Sequence, residues 1–193
     1  MKNFFKDNSY YIIRLFGTQV GLTVFGMMLS FATADVSMGL FLAASVFSVL
    51  FYLALIYSTV SEVGYKHAEK IASGRMRLSK PFGLYLCLAA YIPNFLVLLL
   101  MWIGVIFGSS YTWAGSLGGV ANTVMHVIFS MYWGIDRAIV AALNPADPAS
   151  ASLLISAVVY TAAMLPGLLV SALAYALGRR GISLLSKPDK KEF

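Results

Sequence analysis

Charged residues are scarce in this chain. They make up 11% of its 193 residues, against 60% hydrophobic residues, whereas soluble domains carry about 25% charged and about 45–50% apolar residues. A soluble fold of this length has no single core large enough to bury so much apolar surface. The shortage of charge therefore excludes an ordinary soluble domain and indicates an integral membrane protein.

Metal-binding and nucleophilic side chains are also few. The chain has one cysteine and two histidines, so we expect no intramolecular disulfide, zinc site or haem site. It lacks a phosphate-binding glycine loop, a His-Glu-x-x-His motif, a Gly-x-Ser-x-Gly motif and a carboxylate cluster. The sequence therefore predicts neither a cofactor nor an enzymatic activity.

Long apolar runs dominate what is present. A helix needs roughly 20 mostly apolar residues to cross about 30 Å of hydrocarbon. Four runs meet that requirement, at residues 11–34, 38–60, 82–107 and 153–177. Lipid cannot satisfy exposed backbone groups, and the alternating pattern of a membrane β-barrel is missing, so each run is predicted to be helical. We expect one all-α polytopic membrane domain over residues 1–193.

The basic residues indicate an orientation. All of the 14 lysines and arginines except Arg137 lie in the N-terminal segment, in a predicted loop at 61–80 or in a predicted tail at 178–193. Because cytoplasmic segments are enriched in Lys and Arg, we expect both termini and the loop to be cytoplasmic. The localisation expected from this pattern is a bacterial cytoplasmic membrane.

The predicted loop is itself a candidate docking surface. Its five basic residues are Lys66, Lys70, Arg75, Arg77 and Lys80. Such a cluster attracts anionic lipid headgroups, and it also suits contact with a cytoplasmic or membrane protein partner. A third interpretation is that it is only the topology signal. Nucleic-acid binding is not expected, because these residues flank membrane helices.

Residues 119–144 do not fit a simple four-span arrangement. This apolar segment is predicted to be one amphipathic helix, because its polar residues share one face at 100° per residue. That face carries Asn122, His126, Ser130 and Arg137. The helix could lie in the membrane interface, re-enter and turn near Gly134, or span. Spanning would leave the basic tail outside, so we favour the first two placements, and the polar face is our first candidate site.

Two proline positions are predicted to disturb the spans. Pro93, followed by Asn94, lies in the third span and Pro166 in the fourth. Proline frees a carbonyl four residues earlier and kinks a helix. Breaks of this kind can shape a binding cavity near the bilayer midplane, but they also occur in membrane helices without one. Both interpretations remain open.

Glycines at small-residue spacing predict close helix packing. Gly17 and Gly21 form one Gly-x-x-x-Gly pair, and Gly104 and Gly108 form another. Small residues let membrane helices approach closely. We expect such packing within the chain rather than between two copies.

Short stretches resemble a known group of proteins. Residues 19–26 (Gln-Val-Gly-Leu-Thr-Val-Phe-Gly), 74–76 (Gly-Arg-Met), 92–95 (Ile-Pro-Asn-Phe) and 174–178 (Ala-Tyr-Ala-Leu-Gly) are similar to small uncharacterised multispanning proteins of Firmicutes. The resemblance implies a bacterial inner-membrane protein. It implies no activity, because that group has no assigned function.

Two functions are compatible with these features. The first is a non-enzymatic, permease-like membrane subunit or accessory protein that acts with partners. The alternative is a small transporter of ions, protons or solutes that uses the polar face of 119–144. An intramembrane ionisable residue such as His126 is a functional candidate by default, although it can equally be a polar contact between helices.

Overall fold

Most of the described part of the protein is helical. The computed structural model describes residues 2–74, 81–143 and 152–182, and these contain no β-strand. The helices are α1 (Lys2–Thr33), α2 (Met38–Ala72), α3 (Phe82–Ala90), α4 (Ile92–Phe107), α5 (Thr112–Ile128), α6 (Trp133–Leu143) and α7 (Leu153–Arg179). A 3₁₀ turn, Ser130–Tyr132, joins α5 to α6. Arg75, Arg77, Lys80 and most of the predicted tail, residues 183–193, lie outside the described residues.

Three helices are long and apolar enough to cross a membrane alone. These are α1, α2 and α7. Two further segments qualify only as bent pairs: α3 with α4, bent by 64°, and α5 with α6, bent by 76°. Each pair is either a broken span or a re-entrant loop, so three to five segments can cross. This confirms the predicted all-α polytopic membrane fold.

Helix α2 is longer than the predicted second span. It continues to Ala72, so the first part of the predicted loop at 61–80 is helical. Glu62 and Lys66 form an ion pair one turn apart, with 2.6 Å between Oε1 and Nζ, and such pairs stabilise exposed helical turns. The 35 residues of α2 extend about 52 Å, well beyond the hydrocarbon thickness. Residues 61–72 therefore form a polar extension past the apolar part of the span.

The chain divides into two compact units. The first contains Met1–Thr18, Leu53–Ala90 and Pro166–Phe193, and the second contains Gln19–Tyr52 and Tyr91–Leu165. Helices α1, α2 and α7 each contribute residues to both units.

The first unit is held together by backbone approaches at small residues. A Cβ atom on Gly64 would lie 2.6 Å from the carbonyl oxygen of Tyr175, so α2 and α7 touch there through their backbones. Ser171 donates a 2.6 Å hydrogen bond to the carbonyl of Gly83. The buried ring of His67 lies 4.5 Å from that of Phe82, and its Nδ1 is 3.2 Å from the Tyr175 hydroxyl. The Gly and Ser residues thus bring α2, α3 and α7 into contact around an aromatic cluster.

The second unit uses the same packing between α4 and α5. A Cβ on Gly118 would lie 2.7 Å from the Cα of Gly104, so the two backbones are in contact. Gly104 belongs to one of the predicted Gly-x-x-x-Gly pairs. The other pair, Gly17 and Gly21, has no neighbouring atom within 4 Å of either Cβ position. Close packing at small-residue spacing therefore occurs at one of the two predicted positions.

Candidate functional site

The candidate site is built around a break between α5 and α6. Helix α5 ends at Ile128, because the next residue, Phe129, leaves the helical region with a φ of −100° and a ψ of 28°. The chain makes one 3₁₀ turn and resumes as α6 at Trp133. The prediction of one continuous amphipathic helix over 119–144 is therefore wrong, whereas the re-entrant alternative, with a turn near Gly134, is compatible with this bent pair. A wheel at 100° per residue assumes an uninterrupted helix, and this segment turns by 76° in its middle.

Side chains from other helices satisfy the carbonyls that the break exposes. Thr23 on α1 donates to the carbonyl of Ile128 at 2.7 Å. Ser45 on α2 donates to the carbonyl of Met131 at 2.8 Å and accepts a 2.9 Å hydrogen bond from the backbone N–H of Gly134. Because lipid offers no hydrogen bonds, non-helical backbone at membrane depth is tolerated only when the protein supplies partners. These hydroxyls supply them.

Ser130 belongs to this structural set and not to an open polar face. Its side chain is fully buried, and its hydroxyl donates a 2.5 Å hydrogen bond to the carbonyl of Thr23. Its own carbonyl accepts from Ser30 at 3.4 Å. The structure therefore places Ser130 at the contact between α1 and the break, apart from the other three predicted face residues.

Those three residues line one cavity. Its volume is about 670 Å³, and it includes Asn122, His126 and Arg137. Further lining residues come from α1 and the turn after it, α2, α5, α6 and α7: Ser30, Phe31, Ala34, Phe41, Thr123, Trp133, Asp136, Val140, Ser156 and Tyr160. The α5, α6 and α7 contributions recur every three or four residues, as expected when each helix turns one face inward.

His126 is fixed on two sides within this cavity. Its Nδ1 lies 3.0 Å from the hydroxyl of Tyr160 on α7. Its ring stacks on that of Trp133, with centroids 4.6 Å apart and planes 11° apart. The indole N–H of Trp133 also donates a 2.6 Å hydrogen bond to the His126 carbonyl. Trp133 therefore ties the start of α6 to the end of α5, and Asp136 and Arg137 follow it on α6.

Two buried oxygen atoms in the cavity lining lack donors. Oδ1 of Asp136 and Oδ1 of Asn122 are buried and have no hydrogen-bond partner among the described residues. Arg137 is exposed and makes no ion pair with any described residue. The cavity thus contains a carboxylate oxygen and an amide oxygen without hydrogen-bond partners, and a guanidinium without an ion pair, as far as the described part of the chain extends. In folded proteins most buried polar atoms have partners, so such atoms mark a functional candidate.

The predicted proline breaks do not contribute to this cavity. Helices α3 and α4 meet at Tyr91 with a 64° bend, and Pro93 lies in the first turn of α4. Asn94 is buried, and its amide nitrogen has no partner among the described residues. Pro166 lies inside a continuous α7. None of the three is among the lining residues, so a role in shaping a binding cavity stays a prediction for them.

The predicted basic docking surface is described only in part. Lys66 donates to Glu62 and, at 3.1 Å, to the Tyr11 hydroxyl, while Arg14 pairs with Glu62 at 3.0 Å. These contacts join α1 to the polar extension of α2. The hydrogen bond from Lys66 is the main reason that the pKa of Glu62 is lowered, and Arg14 lowers it further. Lys66 therefore has a structural partner, whereas docking at this surface stays a prediction.

Sequence reasoning missed the contributions of distant helices. Trp133, Ser156 and Tyr160 carry no local signal of a site, because aromatic and hydroxyl residues are common in membrane helices. Asp136 is ionisable but is not on the predicted polar face, and neighbouring residues such as Asp136 and Arg137 point in different directions on a helix. In the structure both line the cavity.

The chain's own residues carry the functional argument. Within the described ranges no group of three or more His, Cys, Asp or Glu could hold a metal ion. No family model matches the chain, and no curated protein or solved structure is significantly similar to it. The resemblance to small Firmicutes proteins therefore stays a prediction.

Proposed function

We propose that this protein is a non-enzymatic, permease-like membrane protein that binds and conducts a small polar solute. The single observation that carries the proposal is the cavity of about 670 Å³, which is lined by Arg137 and by Asn122 and Asp136, each with a buried Oδ1 that has no hydrogen-bond partner among the described residues. Its volume lies within the range of about 300–1,000 Å³ that is usual for small-molecule sites. Both termini are proposed to be cytoplasmic, as the basic residues indicate.

The cavity favours the transport alternative over the partner-dependent subunit. A protein whose only task is to support a partner needs no unpaired charges at membrane depth, where they are costly. A bound ligand can supply the hydrogen-bond partners that these polar groups lack. Mixed walls, with aromatic rings beside a few polar groups, are also usual for solute sites.

A matched pair of variants tests this proposal. Thr123 and Val124 are adjacent and exposed on α5, but only Thr123 lines the cavity. Thr123→Trp therefore fills the cavity, while Val124→Trp adds the same indole outside it. Thermal unfolding of the purified protein in nanodiscs is measured with amino acids, sugars, carboxylates, amines and nucleosides, and solutes that protect are then tested for flux into proteoliposomes.

At least one solute class should raise the unfolding temperature of the wild type and of Val124→Trp, and fail to raise that of Thr123→Trp. A ligand at 100 times its Kd stabilises by about 2.7 kcal/mol, which such melts resolve. Equal protection of both variants, or no protection and no flux with any class, contradicts the proposal. A protein partner that co-purifies in that case would favour the accessory-subunit function instead.

A further inference from the structure

The polar groups of the cavity carry both signs of charge. Asp136 and Arg137 are adjacent in sequence and line the same space, yet they form no ion pair with each other. Their charges cancel when His126 is neutral, so the lining as a whole is neutral. A ligand of one sign would satisfy one of the two groups and meet repulsion from the other.

The unsatisfied atoms point to the kinds of group that a ligand must supply. The buried oxygens of Asp136 and Asn122 are acceptors without donors. A primary ammonium carries three N–H donors, enough to serve both. The guanidinium of Arg137 offers paired donors that match a carboxylate. One end of the ligand should therefore donate and the other should accept.

The remaining lining suits the rest of such a molecule. The rings of Phe31, Trp133 and Tyr160 provide apolar wall. Phe31 meets Trp133 edge to face, with centroids 5.7 Å apart. The cavity volume leaves room for an apolar side chain beside the two charged ends. A metal ion is a poor alternative, because the described residues offer no cluster of three ligands.

We propose that the cavity binds a small zwitterion of the amino-acid type, with its ammonium at Asp136 and Asn122 and its carboxylate at Arg137. This inference rests on the proposed function, because it names the solute class for the same cavity. It assigns Asp136 and Arg137 separate tasks, and each task predicts a different selectivity.

The test uses three matched probes for each of the common amino acids. These are the amino acid, its carboxamide, which lacks the carboxylate, and the corresponding deaminated acid, which lacks the ammonium. Binding to the purified protein in nanodiscs is measured by calorimetry. At least one amino acid should bind at least about tenfold more tightly than its two analogues, since each analogue loses one charge-assisted interaction.

Variants then separate the two ends. Arg137→Gln should remove the preference for the amino acid over its carboxamide and keep the preference over the deaminated acid. Asp136→Asn should remove the preference for the amino acid over its deaminated acid and keep the preference over its carboxamide. Arg137 is exposed, so its replacement keeps the fold even if Asp136→Asn does not. If Arg137→Gln leaves the carboxamide preference unchanged, the carboxylate does not bind where we place it.

The outcomes distinguish this inference from the proposed function. If no amino acid binds but another solute class is blocked by Thr123→Trp, the zwitterion inference fails and the solute site stands. If an analogue with one charge binds as tightly as its parent amino acid, the two-ended arrangement is refuted. If nothing binds to the cavity, both fail together.

Discussion

Replacing Ser45 by alanine should destabilise the protein through the helix break. The Ser45 hydroxyl is buried and serves two backbone groups, the carbonyl of Met131 and the N–H of Gly134. Neither group has a place in a regular helical ladder, because α5 has ended and α6 is just beginning. Ser45→Ala therefore leaves a donor and an acceptor unsatisfied in an apolar surrounding.

The size of the effect follows from these two bonds. Hydrogen bonds between membrane helices contribute about 0.6 kcal/mol each on average, which sets a lower bound of about 1.2 kcal/mol for the pair. A buried backbone group left without a partner costs about 1–3 kcal/mol, which sets an upper bound of about 6 kcal/mol. We expect Ser45→Ala to lower the free energy of unfolding by about 2–4 kcal/mol, within these limits.

Ser48 provides the control on the same helix. It is also buried, but its hydroxyl bonds only the carbonyl of Ala44 one turn earlier, at 2.8 Å. That carbonyl lies within α2, where the helix supplies a donor, so Ser48→Ala should change stability by less than about 0.5 kcal/mol. Ser45→Cys should be intermediate, because a thiol is a weak donor.

The measurement is unfolding of the purified protein by increasing SDS in mixed micelles. Tryptophan fluorescence reports on the break, since Trp133 is stacked on His126, and far-UV circular dichroism reports on the whole chain. Equal stability of the Ser45→Ala and Ser48→Ala variants would refute the idea that side-chain hydroxyls support the break.

Three further predictions concern packing, orientation and charge. Gly26→Ala should lower the free energy of unfolding by about 1–3 kcal/mol, because the added Cβ would lie 2.6 Å from the Met131 Cα in the 3₁₀ turn. Gly21 has no neighbouring atom within 4 Å of its Cβ position, so Gly21→Ala should be neutral or stabilising in the same SDS titration. Tyr65 and Trp113 are both exposed. In a cysteine-free background, an impermeant maleimide should label Tyr65→Cys from the cytoplasmic side and Trp113→Cys from the outer side. Labelling of both from the same side would contradict the proposed topology. Folding lowers the pKa of Glu62, chiefly through the hydrogen bond from Lys66, so its ion pairs stabilise the protein above the unfolded pKa of about 4.3, and the stabilisation is lost as the pH falls through the folded pKa. Glu62 is partly exposed, so the free energy of unfolding of the wild type should exceed that of Glu62→Gln by less than about 1 kcal/mol at pH 7, and melts at decreasing pH should show this difference shrinking below the unfolded pKa.

Hydropathy predicted the fold class because bilayer thickness and backbone hydrogen bonding leave few alternatives. An apolar run long enough to cross lipid must be helical, and α7 begins at Leu153, where its predicted span begins. The same reasoning missed the polar extension of α2 to Ala72. Polar helix beyond the membrane is stabilised by ion pairs and packing rather than by hydrophobicity, so a hydropathy window ends too early.

The break between α5 and α6 could not be read from its own residues. No proline lies between Thr112 and Leu143, and the groups that satisfy the break, Thr23 and Ser45, are about 80–110 residues away in sequence. A local pattern therefore predicts an intact helix. Thr23 and Ser45 meet the broken backbone only in the tertiary arrangement. Of the predicted face residues, Asn122, His126 and Arg137 line the cavity, whereas Ser130 lies at the contact between α1 and the break.

The break and the cavity depend on one another. If α5 continued straight, Asp136 and Arg137 would lie on the same rod as Asn122, about 20 Å further along it at 1.5 Å per residue, and could not share a small cavity with it. The 76° turn directs α6 away from the axis of α5, and the hydrogen bond from the Trp133 indole to the His126 carbonyl ties the start of α6 to the last turns of α5. The hydroxyls of Thr23 on α1 and Ser45 on α2 supply hydrogen-bond partners to the turn. These hydroxyls and the cavity residues therefore belong to one arrangement, and loss of the hydroxyls should weaken the proposed solute binding without removing any group that touches the solute.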